Sequence, residues 1–463
     1  MNKPYKLAER STFSFLISYS LFLILSSCSV SKQISRSAQT DVLSTKALTN
    51  AHVGISIFDP STNNYLYNYQ GDKYFVPASN TKIPTCYAAM KYLGDSLVGL
   101  RYSDENPYFQ LIVEGTGDPT FLHSDFSRQA VFDFLKNSGK MIQFVSDNWD
   151  EEGLGSGWSW NDFNEPYLCE RSFFPVYGNT MKFIKFGKGI RTIPKNIYVS
   201  TYSLADDISS YLDQHIRQYD NDSLPNNFFV QRWKDYNLFS LKKSASKFTS
   251  QIVPFIPNDS LLISLLNDTL KTVRIDDYVL GLPADVKTTK IIHSQPTDSL
   301  LKPMMHRSDN FFAEQSLLMV SNERLGVMND EKIIDTLLKT DFKDLPQKPR
   351  WVDGSGLSRY NLFTPQDLVT ILNKMKNEFG MDRIKNIFAT GGTGTISSYY
   401  KADSGYIYGK TGTLSGVVAF SGFLYTKKGK LLIFSTLVNN HQASATDVRR
   451  AVEKFLEGIR NKY

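Results

Sequence analysis

Cysteine is scarce. The 463-residue chain has three, at positions 28, 86 and 169, which excludes a disulfide-stapled scaffold and leaves only a Cys86–Cys169 bridge open. Histidine is nearly as rare. The six histidines, at 52, 123, 215, 293, 306 and 441, are scattered without ligand spacing, so neither a metal nor a cofactor is expected. No run of aromatics interleaves with a basic stripe, although the net charge is +6 and the pI near 8.8, and nucleic-acid binding is not expected. There is no internal repeat and no low-complexity tract. The longest apolar run, Phe13 to Leu25, is too short for a membrane-spanning helix.

What is present begins at the N-terminus. Lys3, Lys6 and Arg10 precede that apolar run, and small residues follow it, which is the pattern of a secretory signal peptide over residues 1–27. Leu25-Ser26-Ser27-Cys28 resembles a bacterial lipobox, so Cys28 is expected to open the mature chain and to carry lipid on its thiol. Residues 28–48, rich in Ser, Thr, Lys and Gln, read as a flexible lipid-anchored tether.

Beyond the tether, Val53, Ile55 and Ile57 alternate with smaller or polar neighbours, the mark of a half-buried strand. The Asp59–Asn64 turn cluster leads to a second strand at Tyr65–Tyr69. The far end mirrors this. Tyr406–Thr413, Val417–Tyr425 and Leu431–Val438 read as strands, the last two flanking the turn Lys427-Lys428-Gly429-Lys430. Val448, Ala451, Val452, Phe455, Leu456 and Ile459 then follow helical spacing, with Thr446 as the expected N-cap. Strands from both chain ends are therefore expected in one antiparallel sheet with the terminal helix on a face.

Three short motifs carry the chemistry: Ser79-Asn80-Thr81-Lys82, Ser308-Asp309-Asn310 and Lys410-Thr411-Gly412. Any one alone is weak, but the ordered set S-x-x-K, S-D-N, K-T-G is strong, and it describes an acyl-transferring serine enzyme with a lysine base. Ser79 and Lys82 are three apart and share a face of a helix. A serine hydroxyl needs a base to take its proton, and a lysine serves only if burial or a nearby positive charge lowers its pKa. Lys410 is a candidate for that second charge. Pro84 is in tension with a helix here unless it falls in the first turn. On an expected loop, Ser308 has the hydroxyl to pass a proton to a leaving amine and Asn310 the amide to orient a substrate peptide, with Asp309 pointing elsewhere. Lys410 and Thr411 suit a terminal carboxylate. Gly412 allows close backbone approach, and the N–H groups of Ser79 and Thr413 suit an oxyanion hole. The 229 residues from Ser79 to Ser308, against 102 from Ser308 to Lys410, require inserted structure between the first two motifs.

With these motifs, the segments Pro77–Lys82, Gly117-Asp118-Pro119-Thr120, Gly157-Trp158-Ser159-Trp160-Asn161-Asp162 and Asp353–Arg359 give a chain that resembles the class C penicillin-binding proteins, D-alanyl-D-alanine carboxypeptidases and endopeptidases. The resemblance runs from about residue 50 to 440. It implies an α+β fold: a transpeptidase-type domain, with an antiparallel sheet flanked by helices, at 49–93 and 301–463. Two nested inserted domains are implied at 94–185 with 276–300, and at 186–275. It implies Ser79 as nucleophile, Lys82 as base, Ser308 and Asn310 as proton relay and substrate holder, and Lys410, Thr411 and Thr413 as carboxylate and oxyanion elements. The implied substrates are peptidoglycan stem peptides, with β-lactams as covalent inhibitors. The expectation of a periplasmic enzyme held by lipid on Cys28 comes from Leu25-Ser26-Ser27-Cys28, since a lipidated start is not a general feature of the family. A serine β-lactamase shares the motifs, but class A enzymes lack an insert of this size. A non-catalytic wall-binding scaffold would not need intact Ser79, Lys82, Ser308 and Lys410.

Overall fold

A computed structural model describes residues 30–105, 110–187, 189–195, 199–200, 227–271, 275 and 287–463. Cys28 and the signal segment lie outside the described residues. The chain divides into two compact units. Among the described residues, one comprises those from 30 to 80, 345–350 and 362–463, the other those that fall within 81–344 and 351–361.

The first unit is built on the hairpin β1 (His52–Asp59) and β2 (Asn64–Tyr69) and on the late strands β13 (Ala389–Thr390), β14 (Ile407–Leu414), β15 (Val417–Tyr425) and β16 (Leu431–Asn439). Their order is β13-β14-β15-β16-β1-β2, antiparallel at each step. The two chain ends thus meet where β1 pairs with β16, His52 opposite Asn439 and Phe58 opposite Ile433. Val53, Ile55 and Ile57 point into one core with Val448, Val452, Phe455, Leu456 and Ile459 of the C-terminal helix α9 (Ala445–Lys462). Gly54 faces the other way, under the Phe75 ring and Pro365, the first residue of α8 (Pro365–Ile387). With α8 packed against β1 and β16, β1 is buried along nearly its whole length rather than on one face. The N-cap of α9 is Ser444, not Thr446: the Ser444 hydroxyl accepts from the Asp447 N–H at 3.1 Å.

The expected tether is a correction. Residues 30–38 form a helix, α1, which continues into a π-helical turn at Gln39–Leu43. Ile34, Ala38 and Val42, spaced by four, are buried in the core beneath α9, and Leu48 joins them. The polar residues between them coat the outer face, and this is what made the segment read as unstructured.

In the second unit, α2 (Lys82–Tyr92) leads into a sheet of β3 (Ser96–Ser103), β4 (Gln110–Gly115), β5 (Met141–Val145) and β12 (Lys290–Pro296), in the order β12-β3-β4-β5. Helices α3 (Ala130–Asn137) and α4 (Asp259–Leu270) pack on it through Val131, Leu135, Leu262 and Leu266. Further out are two three-stranded sheets. One has β6 (Thr180–Phe186), β7 (Gly189–Ile193) and β11 (Ser250–Pro254). The other has β8 (Val199–Ser200), β9 (Phe228–Trp233) and β10 (Tyr236–Lys243). They share a separate aromatic core of Phe183, Phe228, Phe239, Phe248 and Phe255. Helices α5 (Thr297–His306), α6 (Asn310–Leu325) and α7 (Asp330–Lys339) complete the unit. The divisions at 93/94 and 300/301 are not where the compact units part. Leu318 of α6 and Met328 belong to the same apolar core as β3, β4 and β5, so these helices and the insert form one unit.

Candidate active site

In the first unit the approach to Ser79 is fixed by backbone pairing. Phe75 exchanges N–H···O=C bonds with Phe363, at 2.9 and 3.0 Å. Val76 bonds through both its N–H and its carbonyl to the Asn439 side chain, at 2.8 and 3.1 Å. Ala78 is forced into the left-handed region at φ 47°, a costly position for a residue with a Cβ and one that collects at functional sites. The 3-10 turn Ala78–Thr81 follows and presents Ser79 half-buried. Asn80 turns inward, its Nδ2 donating to the Lys410 carbonyl at 2.8 Å. That bond ties the first motif to the third. Gly412 completes the fit: a Cβ there would lie 2.6 Å from the Pro77 carbonyl and 3.1 Å from the Ala78 Cβ. The Lys410 side chain is fully buried and its Nζ donates to the Thr411 carbonyl at 2.7 Å. The Thr411 hydroxyl donates to that of Thr395 at 2.7 Å, and exposed Thr413 accepts from Arg449 at 2.6 Å. One unit thus gathers Ser79, Lys410, Thr411 and Thr413.

The second unit gathers Lys82, Ser308 and Asn310. The helical run that starts at Ala78 continues as α2 from Lys82, and the unit boundary falls inside S-x-x-K, after Asn80. Pro84 is the third residue of α2, in the first turn, where a missing N–H is not needed. Ser308 is left-handed at φ 65°. Asp309 serves as the N-cap of α6, its carboxylate accepting from the Phe312 N–H at 3.0 Å. Asn310 therefore opens a helix instead of lying in a loop. Its Oδ1 accepts from Lys82 Nζ at 2.6 Å, and its Nδ2 donates to the Tyr167 carbonyl at 2.9 Å.

Lys82 is completely buried, and burial brings its pKa down to about 8. The charges that act on it, Glu314, Asp353 and Asp309, are acids and oppose this fall. Burial, not a neighbouring cation, is what brings the neutral amine within reach near neutral pH. Cys86, on the same helix, and Cys169 are both buried and unbridged. Among the described residues no cluster of His, Cys, Asp and Glu is suited to a metal ion.

The sequence as a whole matches a family profile over residues 36–459, the D-Ala-D-Ala carboxypeptidase 3 (S13) family. The chain belongs to that family. This S13 member is 25% identical over 450 residues to the D-alanyl-D-alanine carboxypeptidase of Actinomadura sp. (strain R39), covering 87% of this chain and 80% of that protein. It is 23% identical over 471 residues to the D-alanyl-D-alanine carboxypeptidase DacB of Haemophilus influenzae, covering 91% and 92%. The crystal structure of penicillin-binding protein 4 (dacB) from H. influenzae superposes with a TM-score of 0.67 at 22% identity, over 92% of this chain and 98% of that one. The same Haemophilus protein in complex with a β-lactam superposes with a TM-score of 0.64 at 20% identity, over 92% and 98%. The penicillin-binding fold expected from the resemblance is the fold observed.

The S13 chain also holds site residues that the motifs do not announce. Glu314, one helical turn after Asn310, is buried. Its carboxylate accepts the N–H groups of Ser355 at 2.7 Å and Gly354 at 3.2 Å. The Ser355 carbonyl in turn accepts from Lys82 Nζ at 2.7 Å, and the Gly354 carbonyl accepts from the Thr85 hydroxyl at 2.6 Å. The 353–356 loop is thereby clamped between α6 and α2. Asp353 ties the loop down further, accepting from the N–H groups of Gly356 and Ser358, from Asn361 Nδ2 and from Trp158 Nε1 at 2.7 to 3.0 Å. Two of the sequence landmarks, at 157–162 and 353–359, thus meet. A third joins through Gln315, which donates to the carbonyls of Gly117 and Ser172 at 2.7 and 2.9 Å. The sequence signal for Glu314 is a carboxylate at i+4 from Asn310 inside the apolar run Phe311–Val320.

The clamp has a testable consequence. Glu314→Gln keeps one acceptor oxygen for the loop, sets its amide NH2 against the second N–H, and removes a carboxyl that burial pushes up to about 8 and that raises the Lys82 pKa when it is ionised. The native carboxyl is charged mainly above about 8, so the acylation midpoint is expected to fall in that variant, with the gain in rate seen at and above that pH. The one N–H left without an acceptor is expected to cost about 1–3 kcal/mol of stability. Glu314→Ala leaves two buried N–H groups unpaired and is expected to lose about 1–3 kcal/mol of stability. An unchanged acylation pH profile in Glu314→Gln would show that the carboxylate does not act on Lys82.

Proposed function

We propose that Ser79 carries the acyl group in a serine-type D-Ala-D-Ala carboxypeptidase that trims peptidoglycan stem peptides and binds β-lactams covalently. The enzyme class follows from the family. The observation that supports the roles is the Lys82 amine, buried, lowered to about 8 and held between Asn310 Oδ1 and the Ser355 carbonyl.

The steps follow from the residue chemistry. Lys82 in its neutral form takes the Ser79 proton as Oγ bonds to the penultimate D-alanine carbonyl carbon. The N–H groups of Ser79 and Thr413 receive the oxyanion. Lys410 and Thr411 hold the terminal carboxylate. The C–N bond breaks as Ser308 gives its proton to the leaving amine and regains one from Lys82, which returns Lys82 to its neutral form, and D-alanine departs. Asn310 orients the peptide that remains on Ser79. Water then attacks the ester, with Lys82 taking its proton, and Ser79 regains its own. The same chemistry cuts crosslinks when the leaving amine belongs to meso-diaminopimelate. We place the enzyme in the periplasm, released from its signal peptide and lipid-modified on Cys28, on the strength of Leu25-Ser26-Ser27-Cys28.

One preparation separates the peptidase from a β-lactamase. Penicillin acylates Ser79 and its opened ring stays attached, blocking the approach of water, whereas a D-Ala-D-Ala peptide loses its leaving group and admits water. Slow turnover of penicillin with steady D-alanine release is expected, measured by penicillin hydrolysis and by amino-acid analysis. Fast multiple turnover of penicillin without D-alanine release would overturn the reading in favour of a β-lactamase.

A further inference from the structure

Only Ser29 separates Cys28 from Val30, so a lipid on Cys28 would be attached within roughly 7 Å of the Val30 backbone. Val30 is itself held against the protein. The Tyr463 hydroxyl lies 3.2 Å from the Val30 carbonyl and 3.2 Å from Gln33 Oε1. The backbone carbonyls of Tyr463 and Arg460 accept the N–H groups of Lys428 and Lys427, at 3.1 and 2.9 Å. Lys462 Nζ donates to the Ser37 hydroxyl at 3.0 Å. The start of α1, the end of α9 and the turn Lys427–Lys430 are therefore one face of the first unit.

That face is basic. Lys32 and Arg36 are exposed one turn apart on α1, and Lys427, Lys428 and Lys462 are exposed beside them. Nearby acids already have partners: Asp41 with Lys454 at 3.0 Å, Asp59 with Lys430 at 2.5 Å and Asp403 with Arg460 at 2.7 Å. Half-buried Glu457 is a further acid on α9, near Glu453, Asp403 and Arg450. Next to Lys427 is a recess of about 370 Å³ lined also by Lys385, Arg460, Tyr406 and Tyr425. Tyr406 is 48% exposed, an aromatic with an apolar body and a polar tip of the kind enriched where protein meets lipid headgroups.

We propose that this face, carrying Lys32, Arg36, Lys427, Lys428 and Lys462, docks on the anionic headgroups of the bilayer that holds the Cys28 lipid. The inference rests on the lipoprotein reading for its occupant: Val30, two residues after Cys28, is held on this face, and the charge sign matches an anionic bilayer. A lysine at such a surface contributes about fivefold in binding, and the contribution is screened by salt. The lipid then sets where the enzyme is held, and the basic face sets which way round.

The test uses the secreted chain with Cys28→Ala, so that the lipid does not mask the protein's own affinity. Co-sedimentation with phosphatidylcholine vesicles containing phosphatidylglycerol is expected, reversed by added salt and absent with phosphatidylcholine alone. Lys427→Glu with Lys428→Glu is expected to weaken it roughly 20-fold or more, with D-alanine release unchanged. The matched pair Lys343→Glu and Lys348→Glu, elsewhere on the surface, should leave it unaltered. Equal binding to both vesicle types, or no loss in the 427/428 variant, overturns the proposal. The intact mass of the wild-type mature protein tests the anchor separately. A lipid-modified Cys28 without any vesicle response rejects the face alone. An unmodified Cys28 with a full response rejects the anchor alone.

Discussion

Ser79→Ala protein is expected to take no label from fluorescent penicillin and to release no D-alanine, while remaining folded. The hydroxyl is the one group in this scheme that forms a bond to substrate. Without it there is no acyl-enzyme, and the surrounding donors have nothing to assist. Removing a nucleophile from a serine hydrolase costs on the order of 10⁶ in turnover, so a fall of at least roughly 10⁴ is a conservative expectation here. The effect on stability is of another order. Ser79 is half-buried in a 3-10 turn, and its neighbours are fixed by bonds that do not pass through its hydroxyl: Phe75 to Phe363, Val76 to Asn439 and Asn80 to Lys410. Loss of one oxygen at such a position changes stability by about 1 kcal/mol or less. A thermal melt close to wild type, together with absent labelling, is the expected pair of results. Label appearing on another residue of the alanine variant would remove Ser79 from the nucleophile's place. The measurement also bears on Ala78, whose left-handed backbone sets the turn before Ser79.

The sheet was legible from its strands because β15 and β16 are near-continuous apolar runs on either side of a glycine turn, and because Val53, Ile55 and Ile57 alternate with smaller or polar neighbours at the other end of the chain. The motifs were legible as short fixed spacings, and the structure joins Lys82 to Asn310 and Asn80 to the Lys410 backbone. What stayed hidden has a physical reason in each case. Ile34, Ala38 and Val42 form a stripe of three in a segment otherwise made of Ser, Gln, Thr and Lys, and composition alone masks so thin an apolar face. Trp158 meets Asp353 across 195 positions of sequence, and nothing local to either residue records the other. Glu314 looks like the solvent side of a helix until the 353–356 loop supplies its two N–H donors. Thr446 has the right chemistry for a cap, but the hydroxyl two residues earlier reaches the Asp447 N–H. Nor does an S-x-x-K motif say how far its lysine will be buried, and the magnitude of the pKa shift depends on that.

Lys82→Arg is expected to cut acylation by about 10²–10⁴, the usual contribution of a positioned general base. The cause is protonation. In the native protein Lys82 titrates near 8, well below the ordinary lysine value of 10.5, because its charged form is denied water. In the proposed scheme it is the neutral amine that accepts the Ser79 proton. Acylation is therefore expected to rise tenfold per pH unit below about 8 and to level off above it. Arginine keeps the positive charge and donates hydrogen bonds, but it does not give up its proton in this range. The Arg variant should show neither the rate nor the rise. The site is tight, with Lys82 fully buried between Asn310 and Ser355, so the larger guanidinium is a strain on folding. Lys82→Met, close in length and without charge or base, serves as the second variant. Circular dichroism and a melt establish which of the two is folded, and stopped-flow acylation by a chromogenic β-lactam gives the rates across pH. Near-normal acylation by either folded variant, or a wild-type profile flat from pH 6 to 9 where a midpoint near 8 is expected, would show that another group takes the Ser79 proton.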